Sequence, residues 1–437
     1  MPNITTRERE AILQSLAAGV VPAIGLQHIQ VGRLDEVSTV VKDLDHIEQD
    51  AASVRFIVGR YGSGKTFFLN LVRNVALQRR FVVIEADITT DRRLHGTGGK
   101  AQAFYSELMR NLCTRSKPEG GALANLVERW ASDIDHRIRS AGGNDEDVTG
   151  EFAKVLRPLQ EFVAGFDFAA VLAKYYEGFL RHDQALQDAA LRWLRGEYST
   201  KTEARKDLGV RNIIDDDSWY DYTKLLAAFC RIAGYAGLVV NVDELVVLSH
   251  RLSNTTARNN NYEAVLRIIN DCLGGRASGI GFLFAGTPDC LEDRRRGLYS
   301  YEALATRLAS NSFASQGLKD FTSPVIRLEN LAPEDCFVLL SNIRKVHALD
   351  DPNKQLIPDE GIVAFLEFCH QRIGAAYFQT PRETVKSFVG LLRVLEQNPD
   401  KKWMDLLTAD AAPSQAEADP TAQIAAETDA DLAEFKL

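Results

Sequence analysis

Short apolar runs alternate with amphipathic segments along much of this chain, and the pattern predicts a parallel sheet covered by helices. The apolar runs are VRFIV (54–58), FVVIEAD (81–87), GLVVNVDEL (237–245), GIGFLFAGT (279–287) and VIRL (325–328). They are short and rich in β-branched residues, as strands buried on both faces are. Apolar residues at helical spacing lie between them, for example from Lys65 to about Gln78. The sequence therefore predicts an α/β fold.

Helical patterns in the rest of the chain predict its division into segments. Residues 116–215 hold several amphipathic runs but no strand-like one. This pattern predicts a helical insertion between two parts of the α/β domain. The first part is 1–115, which includes the leading helices, and the second part is 216–329. The pattern over 330–407 predicts an all-helical C-terminal lid domain. Residues 408–437 are rich in Ala and acids with few large apolar groups, so we expect a disordered acidic tail.

Composition and charge narrow the class of protein. The chain of 437 residues is 45% hydrophobic and 25% charged, which excludes a disordered, collagen-like or membrane-embedded protein. Its formal net charge of -9 provides no overall basic field, so any contact with DNA needs a local patch. The six cysteines are scattered and the first residues do not form the apolar stretch of a secretory signal. We therefore expect free thiols and a cytoplasmic protein with no membrane contact.

A glycine-rich segment between the first predicted strand and the helix after it carries the main chemical signal. GRYGSGKT fits the pattern G-x-x-x-x-G-K-[ST], in which backbone N–H groups cradle phosphates. In that pattern Lys65 supplies positive charge to the β- and γ-phosphate oxygens and Thr66 offers its hydroxyl to Mg²⁺. A chance glycine-rich turn is the alternative, and the flanking strand and helix argue against it. The residues expected to contact the nucleotide here are Gly59, Tyr61, Gly62, Ser63, Gly64, Lys65, Thr66 and Phe67.

Two adjacent acids at the end of a strand provide the second signal. Asp243 and Glu244 follow the apolar run LVVNV. Beside a phosphate loop, Asp243 is expected to join Thr66 in holding Mg²⁺, and Glu244 to orient and polarise the attacking water. Such a pair alone is usually part of a solvated loop, but the phosphate loop favours the hydrolytic interpretation, with ATP and Mg²⁺ as cofactors.

Further candidates are less specific. Thr287, at the tip of GFLFAGT, is placed to hydrogen-bond the water or the γ-phosphate, unless it is only a turn residue. Arg382 begins a C-terminal helix and is a candidate to contact the γ-phosphate. Arg307, or one of the arginines at 294–296, is a candidate to act on a neighbouring subunit's nucleotide, although solvated arginines are common. The loop HGTGGK (95–100) is similar to an anion-binding nest but is more typical of a connector.

Taken together, these segments resemble AAA+ ATPases of the branch that contains origin initiators. The resemblance rests on VGRLDE before the phosphate loop, GRYGSGKT, VVNVDE, FAGT, and PRE in a helical lid. Three segments are also similar in sequence to the ATP-binding proteins of BREX phage-exclusion systems (BrxD type): VPAIGLQHIQVGR, GRYGSGKTFFLNLVRNVA and RRGLYSYEALATRL. The resemblance implies an AAA+ P-loop NTPase fold and places Val31, Gly32 and Arg33 against the nucleotide base.

The resemblance also implies a function and partners. It implies an ATPase that couples its nucleotide state to oligomerisation and to DNA or a partner protein, such as a helicase or nuclease of the same anti-phage defence system. A slow nucleotide-gated switch or scaffold, which recruits an effector with little turnover, is the alternative. A small-molecule kinase would need an acceptor-binding motif, and none is apparent in the sequence.

Overall fold

Five parallel strands form the centre of the computed structural model, which describes residues 4–309, 320–371 and 380–407. The strands are β1 (Ala52–Val58), β2 (Val82–Asp87), β3 (Leu238–Asp243), β4 (Ile280–Gly286) and β5 (Val325–Arg327). The sheet has the order β2-β3-β4-β1-β5. The predicted α/β fold with a parallel sheet is confirmed, because each of the five apolar runs coincides with one strand.

Helices connect these strands and fill the segments between them. Five α-helices lie within 116–215, the segment predicted to be a helical insertion. The helices of the described residues are α1 (Thr6–Ala17), α2 (Leu34–Glu48), α3 (Lys65–Gln78), α4 (Lys100–Arg110), α5 (Leu123–Ser140), α6 (Asp145–Leu156), α7 (Gly165–Arg181), α8 (Gln184–Leu194), α9 (Lys201–Leu208), α10 (Trp219–Ile232), α11 (Thr255–Leu273), α12 (Pro288–Glu292), α13 (Glu302–Leu308), α14 (Pro333–His347), α15 (Asp359–Gln371), α16 (Pro381–Gln397) and α17 (Trp403–Leu406).

The two faces of the sheet bury two different apolar clusters. Successive side chains of a strand point to opposite faces, so Phe56 and Phe284 enter one cluster while Ile57 and Leu283 enter the other. The Phe56 and Phe284 rings stack with centroids 5.1 Å apart. Helices α2 and α3 cover the second face. Burial on both faces explains why the strands are nearly continuous apolar runs.

The helices between β2 and β3 share the core of the sheet. Trp130 on α5 makes edge-on contacts with Phe152 on α6, at 4.8 Å, and with Phe229 on α10, at 5.1 Å. All three rings belong to the same buried cluster as Phe56 of β1. Continuous burial therefore joins the inserted helices to the α/β core.

The chain divides into two compact units. The sheet lies in the unit formed by 31–332 with 380–382. The other unit combines the described parts of 1–30, 333–379 and 383–437. The domain boundaries expected from the sequence stay predictions, and the tail predicted at 408–437 lies outside the described residues.

The second unit joins the start of the chain to its C-terminal helices. Arg9 on α1 forms an ion pair with Glu396 on α16 at 2.7 Å. Its Nε also donates to the carbonyl oxygen of His347, at the end of α14, at 2.7 Å. The sequence pattern showed each of these helices but gave no sign of their pairing.

Candidate functional site

The segment GRYGSGKT forms a loop between β1 and α3. Gly62 and Gly64 have φ angles of 77° and 92°, in the left-handed region that glycine adopts without strain. A Cβ atom on Gly59 would lie 2.3 Å from the Ser63 Oγ, so the loop is too tight there for a side chain. Helix α3 begins at Lys65, and the free N–H groups of its first turn adjoin the loop. This arrangement suits an anion such as a phosphate.

The Lys65 ammonium group lies within this loop. Its Nζ donates to the carbonyl oxygens of Gly59, at 3.0 Å, and Arg60, at 3.1 Å. Burial lowers the pKa of Lys65, while the negative charges of Asp243 and Glu244 oppose that shift. A partly desolvated cation favours an anionic ligand, because a phosphate supplies the counter-charge that water no longer does.

Thr66 and Asp243 meet although 177 positions separate them in the sequence. The Thr66 hydroxyl donates to the Asp243 carboxylate at 2.9 Å. The contact follows from the strand order, since β4 alone lies between β1, which leads into the loop, and β3, which ends in Asp243.

A hydroxyl and a carboxylate side by side fit Mg²⁺. This ion prefers oxygen ligands, and beside a nucleotide it is usually held by one or two protein groups, phosphates and water. Among the described residues, no group of three or more His, Cys, Asp or Glu side chains has the arrangement of an all-protein metal site. A pair of protein oxygen ligands such as Thr66 and Asp243 suits an ion whose other ligands are phosphates and water.

Glu244 adopts a conformation that is unusual for a residue with a side chain. Its φ angle is 58°, and its N–H donates to the Asp243 carboxylate at 2.7 Å. Burial raises the pKa of Glu244, and the neighbouring charges of Asp243 and Asp87 raise it further. Non-glycine residues with a left-handed backbone conformation are concentrated at functional sites. A carboxylate with a raised pKa is also a stronger base.

Thr287 lies at the same edge of the sheet, directly after β4. Its hydroxyl accepts a hydrogen bond from the N–H of Cys290, at 3.4 Å, and so caps the short helix α12. The structure thus gives Thr287 the turn role that the sequence left open. Its position after the strand between β1 and β3 is also compatible with the predicted contact to a γ-phosphate, which stays a prediction.

Arg382 lies beside the phosphate loop within the sheet-containing unit. Its guanidinium donates to the Tyr61 hydroxyl at 2.6 Å and lies 5.2 Å from the centre of the Tyr61 ring. Tyr61 itself is 62% exposed. The structure therefore brings together two residues that the sequence assigned separately to the nucleotide.

The segment predicted to border the base also reaches the loop through Arg33. The Arg33 guanidinium donates to the carbonyl oxygens of Ser63, at 3.4 Å, and Glu329. Val31 and Gly32 precede it, and Phe67 is half-buried in the first turn of α3. Contact of these residues with a base stays a prediction.

Arg307 makes its described hydrogen bonds away from the loop. It donates to the Asn270 side chain at 2.6 Å and to the Ala303 carbonyl oxygen at 3.1 Å. Arg294 lies over the Tyr299 ring, with 5.8 Å to its centre. The predicted action of Arg307, or of an arginine at 294–296, on a neighbouring subunit's nucleotide stays a prediction.

A cavity lies next to Thr66, and no pattern used above predicted it. It has a volume of about 240 Å³. Two cross-strand pairs form one wall, because Glu85 is in register with Asn241 and Asp87 with Asp243. Polar residues at matching positions of two otherwise apolar strands were the signal that would have revealed it. The lining residues are Thr66, Leu69, Asn70, Glu85, Ala86, Asp87, Arg92, Glu107, Asn111, Asn241 and Asp243.

The loop 95–100 leads into α4, and the carboxylate of Asp216 binds one N–H group of the loop and two of the first turn of the helix. Asp216 accepts hydrogen bonds from the N–H groups of Gly99 at 2.8 Å, Ala101 at 2.8 Å and Gln102 at 2.9 Å. A carboxylate at a helix N-terminus satisfies free donors and complements the helix dipole. These contacts favour the structural interpretation of this glycine-rich loop over a ligand site.

Asp216→Ala is therefore expected to lower the free energy of unfolding by about 1–2 kcal/mol, the usual effect of removing a helix-capping carboxylate. Urea unfolding at equilibrium measures the difference. Asp217→Ala is the matched control, since this neighbouring carboxylate is exposed. Equal unfolding midpoints for the two variants would contradict the structural role of Asp216.

The parallel sheet and the glycine-rich loop between β1 and α3 are those of a P-loop NTPase. The sequence matches the model of one protein family, BREX system ATP-binding protein BrxC/D, over residues 4–411, and the chain belongs to that family. The resemblance to the ATP-binding proteins of BREX systems, noted in the sequence, is thereby confirmed. The search of curated proteins found no match to the chain. Family membership supports ATP binding and a role in phage defence.

None of the described helices is both long and apolar enough to cross a bilayer. The cytoplasmic location expected from the sequence stays a prediction.

Proposed function

We propose that the protein is an AAA+ ATPase that binds Mg²⁺ and ATP at residues 59–66 and hydrolyses the γ-phosphate bond. The observation that carries this proposal is the 2.9 Å hydrogen bond between Thr66 and Asp243. It supports the proposal because the acidic strand end lies against the phosphate loop, where Lys65 would bind the phosphates, Thr66 and Asp243 would hold Mg²⁺, and Glu244 would act as the base.

Each residue has a distinct chemical role in the proposed reaction. The loop N–H groups and Lys65 hold the β- and γ-phosphates and fix the reacting phosphorus in place. Mg²⁺, when bound to Thr66 and Asp243, supplies positive charge to the β- and γ-phosphate oxygens. Glu244 accepts a proton from the attacking water and directs it at the γ-phosphate. Thr287 and Arg382 are proposed to contact the γ-phosphate from β4 and α16.

We further propose that ATP binding promotes assembly of several copies of the chain, in which Arg307 or an arginine of 294–296 reaches the neighbouring copy's nucleotide. An arginine there would stabilise the charge that develops on the transferring phosphoryl group. The helices that follow β5 would act as the lid that responds to the nucleotide. DNA, or a helicase or nuclease of the same defence system, is the proposed recipient of that response.

One experiment tests the activity and its coupling. ATP turnover is measured with and without double-stranded DNA, while the mass of the protein is measured under the same conditions. We expect Mg²⁺-dependent turnover, an ATP-dependent increase in mass, and a DNA stimulation that weakens with salt if DNA is the partner. EDTA is the control, since it removes Mg²⁺ without altering the chain.

Other outcomes distinguish the alternatives. An ATP-dependent mass change with little turnover would favour the slow nucleotide-gated switch. Nucleotide binding without any hydrolysis, even with DNA and partner proteins present, would exclude the ATPase. Failure to bind ATP at all would exclude both functions.

A further inference from the structure

Four carboxylates line the cavity beside Thr66, and one of them differs from the others. Three have a direct partner in the chain, whereas the side-chain carboxylate of Asp87 makes no ion pair or hydrogen bond within the part of the chain that the structure describes. Burial raises the pKa of the Asp87 carboxyl, and Arg92, which affects Asp87 through its positive charge alone, opposes that rise. The three direct contacts are Glu85 with Arg73 at 3.3 Å, Glu107 with Arg92 at 2.9 Å, and Asp243 with Thr66 at 2.9 Å.

Asp87 lies next to the proposed Mg²⁺ ligand Asp243. The two residues are paired in register on adjacent parallel strands, which lie about 4.8 Å apart. The N–H of Ile88, directly after Asp87, donates to the Asp243 carbonyl oxygen at 3.1 Å, so the backbone fixes this pairing. Two negative charges at this separation repel each other unless a cation lies near both.

The wall of the cavity contains a second sign of a polar ligand. Asn241 is 2% exposed and lines the cavity, yet neither its amide nitrogen nor its amide oxygen makes a hydrogen bond of normal geometry. Its amide is close enough to Glu85 to lower the pKa of that carboxyl. A buried polar group without a partner costs about 1–3 kcal/mol. At about 30 Å³ for each water molecule, a cavity of about 240 Å³ holds several that could supply those partners.

We propose that Asp87 is a third side chain of the Mg²⁺ site and holds water molecules of the ion's coordination shell. Thr66 and Asp243 contact the ion directly, and Asn241 helps to order the water behind it. Mg²⁺ releases its water reluctantly and usually keeps several water molecules in protein sites. The hydrogens of those water molecules need acceptors, and Asp87 has its carboxylate oxygens free of direct partners within the described residues. This inference rests on the proposed function.

The test measures metal affinity directly, without relying on turnover. Mn²⁺ replaces Mg²⁺, and its binding to the full-length chain in the presence of ADP is followed by electron paramagnetic resonance. Asp87→Asn is expected to weaken Mn²⁺ binding by about 10-fold, the low end of the usual effect of losing an outer partner of a metal site. ADP affinity in EDTA is expected to stay unchanged, because Asp87 acts through the ion.

Two further variants make the comparison specific. Glu107→Gln removes one negative charge from the same cavity, but Glu107 already forms an ion pair with Arg92. We therefore expect the Mn²⁺ affinity of this variant to stay within about 2-fold of wild type, well below the usual effect of losing an outer partner of a metal site. Asp87→Glu keeps the charge and is expected to retain most of the affinity. Unfolding midpoints of all variants establish whether each is folded. If Asp87→Asn does not fold, Asp87→Glu is compared with Glu107→Gln and the wild type instead.

Each remaining outcome has a clear meaning. Equal weakening by Asp87→Asn and Glu107→Gln would show a general effect of charge and overturn the role of Asp87. Wild-type Mn²⁺ affinity in Asp87→Asn would also overturn it, while leaving the ATPase proposal intact. If the wild-type chain binds neither ADP nor Mn²⁺, the proposed function is wrong and this inference fails with it.

Discussion

Lys65→Met is expected to weaken Mg²⁺-ATP binding by at least about 100-fold. Hydrogen bonds to charged groups contribute about 1.5–3 kcal/mol each. Losing two of them, one to the β-phosphate and one to the γ-phosphate, lowers the binding affinity by about 100-fold or more. The Lys65 Nζ already lies inside the loop, on the Gly59 and Arg60 carbonyl oxygens. Isothermal titration calorimetry with a non-hydrolysable ATP analogue measures the change.

The Lys65→Met variant is expected to fold as well as the wild type. Burial lowers the pKa of Lys65, so the folded chain disfavours the charged ammonium and loses little when it is replaced by an apolar side chain of similar length. Unfolding midpoints test this point. Lys42→Met, on the exposed side of α2, is the matched control and is expected to bind ATP normally. Wild-type affinity in Lys65→Met would mean that the loop is not the phosphate site.

The sequence predicted the local parts of the site because each has a local cause. A run of apolar residues predicts a buried strand wherever that strand lies in the sheet, and β1 to β5 were all found in this way. The glycines and Lys65 form the loop through their own backbone conformations and the start of α3, within eight consecutive positions. Such features depend on neighbours in the sequence.

Contacts between distant segments depend on strand order and register, which no local pattern contains. The motifs led us to expect Asp243 near Thr66, and the strand order explains the contact, because β4 alone lies between β1, which leads into the phosphate loop, and β3, which ends at Asp243. The cavity exists because Glu85 and Asp87 stand opposite Asn241 and Asp243, about 155 positions further along the chain, where two strands happen to pair in that register. The capping of α4 by Asp216 has the same origin, since the helical segment 116–215 separates the two along the chain.

Glu244→Gln is expected to retain ATP affinity within about 3-fold and to reduce the turnover rate by about 10² to 10⁴, the usual contribution of a general base. An amide has nearly the same size as a carboxylate and preserves the hydrogen bond that the backbone N–H of Glu244 donates to Asp243. It cannot accept the proton of the attacking water at neutral pH. Single-turnover hydrolysis of radiolabelled ATP measures the chemical step, and nucleotide titration measures the affinity.

Asp243→Asn separates the role of the base from that of the metal ligand. Because Asp243 receives the hydrogen bond of Thr66, its amide variant is expected to need more Mg²⁺ for turnover, whereas Glu244→Gln is expected to stay slow at any Mg²⁺ concentration. Glu128→Gln, on the exposed face of α5, is the control for replacing a carboxylate elsewhere. If Glu244→Gln hydrolyses ATP at the wild-type rate, another group activates the water. Asp87, whose charge acts on Glu244, is then the first residue to replace.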